Sequence, residues 1–246
     1  MRCLIGACVV AAATVAAGCS IPAIEGSGHV GSESRDVSGF HSVSLSLSGE
    51  LHISQTGEES LTITADDNLL EYIRAEVRDG KLEIGLAREC PARSLRPTLT
   101  IRYELTVKDM DAVAVSGSAN ALAEELRSDA MAVAVSGSGN VVIRVLETER
   151  VDVAISGSGS VSLGGTAPVQ SIAISGSGEY DGGDLRTQRA AVAVSGSGDA
   201  TIWAEEKLDV GLSGSGSVEY YGAPEVERRV SGSGSLRSLG SKGLSA

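Results

Sequence analysis

The sequence predicts an all-β chain: a right-handed parallel β-helix of about seven rungs of 18–20 residues, preceded by a less regular N-terminal β region. Three observations carry this. A Ser-Gly-Ser block recurs at Ser116, Ser136, Ser156, Ser175, Ser195, Ser213 and Ser231, with Gly as its fourth residue in every copy after the first, which ends in Ala119. The steps are 20, 20, 19, 20, 18 and 18 residues, and a near-fixed period of this length marks a solenoid. Aliphatics alternate with small or polar residues around the blocks, which is the period of a strand. Finally, the 246 residues hold one Phe, one Trp and five Tyr against 31 Gly. A core must therefore come from Val, Ile, Leu and Ala, packed in a way that admits glycine at regular intervals.

The elements follow in order. Met1-Arg2 precedes an uncharged run from Cys3 to Ala17; one base before a short apolar stretch is a secretory signal, residues 1–18, too short to span a bilayer comfortably. Residues 19–35 are rich in Gly, Ser and Glu and read as a flexible tether. Residues 36–110 form the N-terminal β region. In it Val43, Leu45, Leu47, then Ser48-Gly49, then Leu51 and Ile53 make a degenerate first rung. Leu61-Thr62-Ile63 is a strand, and Asp67-Asn68 starts a short helical turn through Tyr72. Asp79-Gly80 joins two strands as a hairpin, and Leu99 to Val107 leads into the rungs.

Residues 111–238 are the solenoid, followed by a tail, 239–246. Before the blocks stand Val113-Ala114-Val115, Val133-Ala134-Val135, Val153-Ala154-Ile155, Ile172-Ala173-Ile174, Val192-Ala193-Val194 and Val210-Gly211-Leu212. After them a second alternation runs through Val141/Ile143, Val161/Leu163, Ala200/Ile202 and Val218/Tyr220. Each unit is thus strand, small-residue corner, strand, loop. Stacking units in parallel register, about 4.8 Å per rung, buries a continuous aliphatic column. The alanines at 114, 134, 154, 173 and 193 then point outward. A solvated strand face usually carries Thr, Lys or Glu, so this stripe is expected to be covered, by the protein's own loops or by another copy of the chain.

Little in the sequence carries chemistry. Acids outnumber bases 32 to 20, which excludes a nucleic-acid partner because a phosphate lattice needs a basic face. The position after each corner is Asn120, Asn140, Ser160, Glu179, Asp199, Ser217 and Ser235. Asn120 over Asn140 suits an amide ladder. Glu179 and Asp199 on neighbouring rungs are the best acid pair for sugar hydrolysis, although polar corner residues are ordinarily just solvated. No His/Cys cluster has zinc spacing, and Ser stands where a calcium roll needs Asp. No cofactor is implied. A catalytic Cys90 would need a histidine, and nothing in the sequence places His29, His41 or His52 beside it.

Two resemblances add to this. Ala16-Ala17-Gly18-Cys19 resembles the lipobox of bacterial lipoproteins, which implies cleavage before Cys19, lipidation of Cys19 and anchoring to a membrane. Multiple acyl chains are needed for stable attachment. In Gram-negative lipoproteins, Ser20 rather than Asp favours the outer membrane. Second, the Arg35-Asp36-Val37-Ser38-Gly39-Phe40 entry, the Asp79-Gly80 hairpin and the Ser-Gly-Ser-Gly rungs, in that order, resemble the head-GIN domain of bacterial secreted and lipid-anchored proteins, described as an autotransporter-adhesin head. This resemblance covers roughly residues 33–235, implies a β-helical extracytoplasmic domain and supplies no catalytic residues. The resulting expectation is a non-enzymatic, lipid-anchored cell-envelope protein that displays a β-helical surface to a glycan or protein ligand. It includes homo-oligomerisation through the Ala114–Ala193 stripe. The alternative is a carbohydrate-active enzyme using Glu179 and Asp199.

Overall fold

A computed structural model of the protein describes residues 23–242; the expected signal segment and Cys19 lie outside them. The N-terminal region holds β1 (Ala23–Glu25), β2 (Val30–Arg35), β3 (Ser42–Leu45), β4 (Glu50–Gln55), β5 (Ser60–Asp66), a 3-10 helix (Asp67–Tyr72), β6 (Ile73–Arg78), β7 (Lys81–Leu86), β8 (Ser94–Arg96) and β9 (Arg102–Val107). The solenoid follows as β10 (Ala112–Gly117), β11 (Asn120–Gly137), β12 (Asn140–Gly157), β13 (Ser160–Thr166), β14 (Val169–Gly176), β15 (Glu179–Gly196), β16 (Asp199–Gly214), β17 (Ser217–Tyr221), β18 (Glu225–Gly232) and β19 (Ser235–Gly240).

The repeat blocks are the corners of a parallel stack. Gly117, Gly137, Gly157, Gly176, Gly196, Gly214 and Gly232 are successive register partners. The six intervals between the seven corners are the turns of the solenoid. Inward residues form two aliphatic columns on the side leading to the corner: Val113 to Val210 and Val115 to Leu212, all buried. Two more columns, carrying Val141, Val161 and Val218 and then Ile143, Leu163 and Ile202, fill the side after it.

The corner needs glycine for two reasons. At Gly157 φ is +116°, a conformation L side chains rarely adopt, and a Cβ there would sit 2.5 Å from the carbonyl oxygen of Gly137 one level away. That close approach lets the Ser158 N–H donate to the same carbonyl at 2.8 Å, so the corner backbone forms its own ladder.

The expected loop between rungs is instead a third β side. Most units run from one corner to the next as one bent strand, with Glu125–Ala130 paired to Val145–Arg150 in parallel. Its apolar pattern is thin, with Leu126, Leu146 and Leu185 buried between charges, so period-two alternation does not announce it. One buried polar trio bridges this side and the second. The Tyr180 hydroxyl donates to Gln170 Oε1 at 2.8 Å, and Gln170 Nε2 donates to Thr187 Oγ1 at 2.7 Å. Each buried group thus has a partner.

The degenerate rung is in the stack: Val43 pairs with Val113 and Leu51 with Ala121. The chain then leaves the solenoid and closes its end. β7 and β9 pair in parallel with β3 and β4, while β6, β5 and β2 add antiparallel strands to β7, β9 and β5. Asp79 and Gly80 both have positive φ, +50° and +74°, as the hairpin requires. The expectation of a tether over 19–35 is corrected from Ala23 onward. β1 pairs with β8, and β2 covers the edge of β5 that would otherwise expose unpaired backbone groups. Buried Asp66 locks the joint, accepting from Gly28 N at 2.8 Å, Thr98 N at 2.9 Å and the Thr98 hydroxyl.

The two ends differ. Above β18 and β19 no further strand lies among the described residues. Exposed Glu225, Glu227, Arg228, Arg229 and Arg237 line that open edge, the usual guard against edge-to-edge pairing. β19 continues to Gly240, two residues into the expected tail, and Lys242 docks back on the body.

Candidate functional site

The side leading to the corners presents an outward surface built almost entirely of small residues. Ala114, Ala134, Ala154, Ala173, Ala193 and Gly211 are register partners on consecutive levels. The corner serines Ser116 to Ser213 form a parallel column two residues further on. Val and Ile on either side of each alanine are buried, while Ala134, Ala154, Ala173 and Ala193 are exposed. The inward and outward sets are therefore as the alternation predicts. Cover by the protein's own loops, one of the two expectations, is not what the structure has: among the described residues nothing lies over this stripe. The face is a shallow apolar trough with Ala173, Ala193, Gly211 and Leu212 in its floor and Arg229 at one end.

Charge is concentrated elsewhere. The third side carries ion pairs between levels, Arg144–Glu124 at 3.0 Å, Arg127–Glu147 at 3.3 Å and Arg186–Glu205 at 2.9 Å. A second depression, near the capped end, gathers Asp109, Asp111, Asp129, Glu147 and Asp152 with His41 and Arg127. There His41 Nδ1 is 3.2 Å from Asp111. Among the described residues no group of three His, Cys, Asp or Glu side chains is arranged to hold a metal ion.

The corner positions behave as a structural ladder. Asn140 Nδ2 donates to Asn120 Oδ1 at 2.8 Å, and the Ser160 hydroxyl donates to Asn140 Oδ1 at 2.7 Å. Glu179 and Asp199 are register partners on adjacent levels, both exposed. Asp199 Oδ1 accepts from the Ser217 backbone N–H at 2.9 Å, which continues the ladder. A carboxylate engaged by backbone at an open corner is poorly placed to act on a bound sugar. Cys90 is a free, half-buried thiol in the turn after Ala87.

The fold and sequence have relatives. A crystal structure described as a putative adhesin from Bacteroides fragilis is 25% identical, with a TM-score of 0.82 over 88% of this chain and 100% of that one. Two others are similar in fold: a putative lipid binding protein from Parabacteroides distasonis (22% identity, TM-score 0.75, 89% and 100% covered) and a putative adhesin from Parabacteroides merdae (21%, 0.69, 88% and 99%). No curated protein matches the chain. Residues 39–224 match the family model described as "Putative auto-transporter adhesin, head GIN domain", spanning the first coil, the capping insertion and nearly all the corners, and the chain belongs to this head-GIN family.

Proposed function

We propose that the protein is a non-enzymatic adhesion protein of the cell envelope, lipid-anchored through Cys19, whose small-residue face is a contact surface between copies of the chain. The observation that carries this is the uncovered Ala114–Gly211 stripe on an otherwise strongly charged body. Net charge is −12, so copies repel one another wherever acids meet. The stripe is the surface on which two copies can approach with little charge opposition, and small side chains permit close sheet-to-sheet contact. Membership of an adhesin-head family and likeness to an adhesin structure support a role in adhesion over catalysis.

The size of the face sets the strength. Six-residue strands on the six levels from Ala114 to Gly211 give a patch of about 20 by 30 Å, roughly 600 Å² per copy. Two such patches bury about 1,200 Å², the lower end of specific interfaces. Contact should therefore be weak in dilute solution and favoured where anchoring crowds copies on one membrane.

Sedimentation over a range of concentrations tests this. Wild-type protein should shift from monomer toward dimer at the upper end, and Ala154→Asp with Ala193→Asp should remain monomeric with an unchanged fold. A wild type that stays monomeric throughout, or a double variant that associates equally, would overturn it.

A further inference from the structure

A second cluster lies at the open end, away from the stripe. Trp203 and Tyr221 are register partners on consecutive levels, so two aromatic rings occupy neighbouring positions of one outward column. On the preceding level the register shifts between Gly182 and Arg186, and Gly183-Asp184 bulges out beside the rings. A Cβ on Gly183 would come within 3.3 Å of Thr201 Cγ2 and 3.5 Å of the Tyr221 ring; its absence keeps the loop close. Asp181 Oδ1 accepts from the Gly183 N–H at 3.1 Å and holds the bulge in place.

Into this corner comes the Lys242 ammonium. Its Nζ lies 5.0 Å from the centre of the Tyr221 ring and 5.6 Å from that of Trp203. It donates to the Gly183 carbonyl at 2.5 Å and to Asp184 Oδ1. Two π faces, a carbonyl and a carboxylate around one ammonium are the parts of a cation-recognition site. The neighbouring cations do not compete for it, because Arg186 is held by Glu205 and Arg237 by Glu219.

We propose that Trp203, Tyr221, the Gly183 carbonyl and Asp184 form a binding site for a primary alkylammonium group, kept closed in cis by Lys242. Lys242 sits two residues past β19, so its effective concentration at the site is on the order of millimolar or above. An outside ammonium must exceed that to displace it. Once Lys242 leaves, the site accepts the same chemistry from another source, a lysine side chain or an amino headgroup.

Trp203 is the chain's single tryptophan, so emission excited selectively through tryptophan, clear of the tyrosines, reads this site alone. N-acetyl-lysine methylamide, phosphoethanolamine and the uncharged N-acetyl-norleucine methylamide are each titrated into wild type and Lys242→Gln. Lys242→Gln should show a saturable emission change with an ammonium compound and none with norleucine. The compound with the lower midpoint identifies the source. Wild type should need at least about tenfold more of it. Adding Asp184→Asn, at a side chain 83% exposed and so harmless to folding, should weaken binding by about tenfold or more. No saturation with either ammonium compound, an equal response to norleucine, or midpoints unaffected by Asp184→Asn would each overturn the site. Equal midpoints in wild type and Lys242→Gln would overturn the cis closure.

Discussion

The same chemical change, glycine to alanine, should have opposite effects at two positions of one coil stack. At Gly157, φ of +116° makes alanine unfavourable by about 1–2 kcal/mol, the cost of a left-handed L residue. The new methyl would also lie 2.5 Å from the Gly137 carbonyl oxygen. Relieving that contact opens the corner and weakens the Ser158–Gly137 hydrogen bond, about another 1 kcal/mol. The total is about 2–3 kcal/mol. At Gly211 φ is unremarkable, and the nearest atom to a new Cβ is the Val192 carbonyl oxygen at 3.8 Å. Alanine there extends the outward stripe and restricts the unfolded chain, a gain of about 0.4–1 kcal/mol. For a body of this size each kcal/mol moves the melting temperature by about 2–4 °C. Gly157→Ala should melt about 4–12 °C lower and Gly211→Ala about 1–4 °C higher, read by far-ultraviolet circular dichroism. Shifts of the same sign and size would mean that the corner backbones are not stacked as described.

Four further outcomes follow. Ile155→Asp buries an unpaired carboxylate in the aliphatic column and should cost several kcal/mol, whereas Ala154→Asp should melt like wild type; equal, severe unfolding of both would refute the inside–outside assignment. Glu179→Ala should change stability by no more than about 0.5 kcal/mol, while Asp199→Ala loses the bond to Ser217 N and should cost about 1 kcal/mol; a bound metal lost with either would point back to an enzyme. The Thr98 hydroxyl, with the backbone N–H groups of Gly28, Thr98 and Leu99, holds the Asp66 carboxyl below its ordinary 3.8 against desolvation. Its contribution is complete above that value and is lost as the pH falls through the lower folded one, so wild type should lose more thermal stability than Asp66→Asn between about pH 5 and pH 2, and parallel curves would count against the role. Radiolabelled palmitate should enter the native chain in its host and be absent from Cys19→Ala; equal labelling would remove the anchor.

The solenoid was legible because its corner enforces a local rule on every level. Where backbones stack at carbonyl contact, only glycine fits, so the block repeats in the sequence as visibly as in space. Alternation around it was enough to sort Ile155 inward from Ala154 outward and to place the degenerate rung at Val43–Ile53. The capping insertion was not legible, since its strands pair with residues far away in the chain and its antiparallel partners carry no shared motif. Polar Val30–Arg35 looks like linker because both its faces are largely solvated; only the bare edge of β5 makes it a strand. The third side hid behind its charges. The Trp203–Tyr221–Lys242 cluster escaped for a different reason: it depends on a register shift that brings Gly183 beside the rings, and no local pattern encodes that shift.

Those register shifts have an evolutionary consequence. They fall at Ile143/Leu146, Ser162/Gly164, Gly182/Arg186 and Tyr220/Tyr221, where the chain passes toward the third side, and at Thr187/Arg189 on that side. A residue gained or lost in the strand before a corner would turn every alanine of that level inward and every valine outward. One gained or lost past the shift is absorbed without disturbing the neighbours, which is how repeats of 18, 19 and 20 residues coexist in one stack. The molecule is thus free to change height only in whole coils, each adding about 4.8 Å, while single-residue insertions and deletions are channelled to one side. Descendants of this sequence should differ by duplicated or deleted coils that begin and end at a Ser-Gly-Ser-Gly corner, with length scatter confined to the charged side.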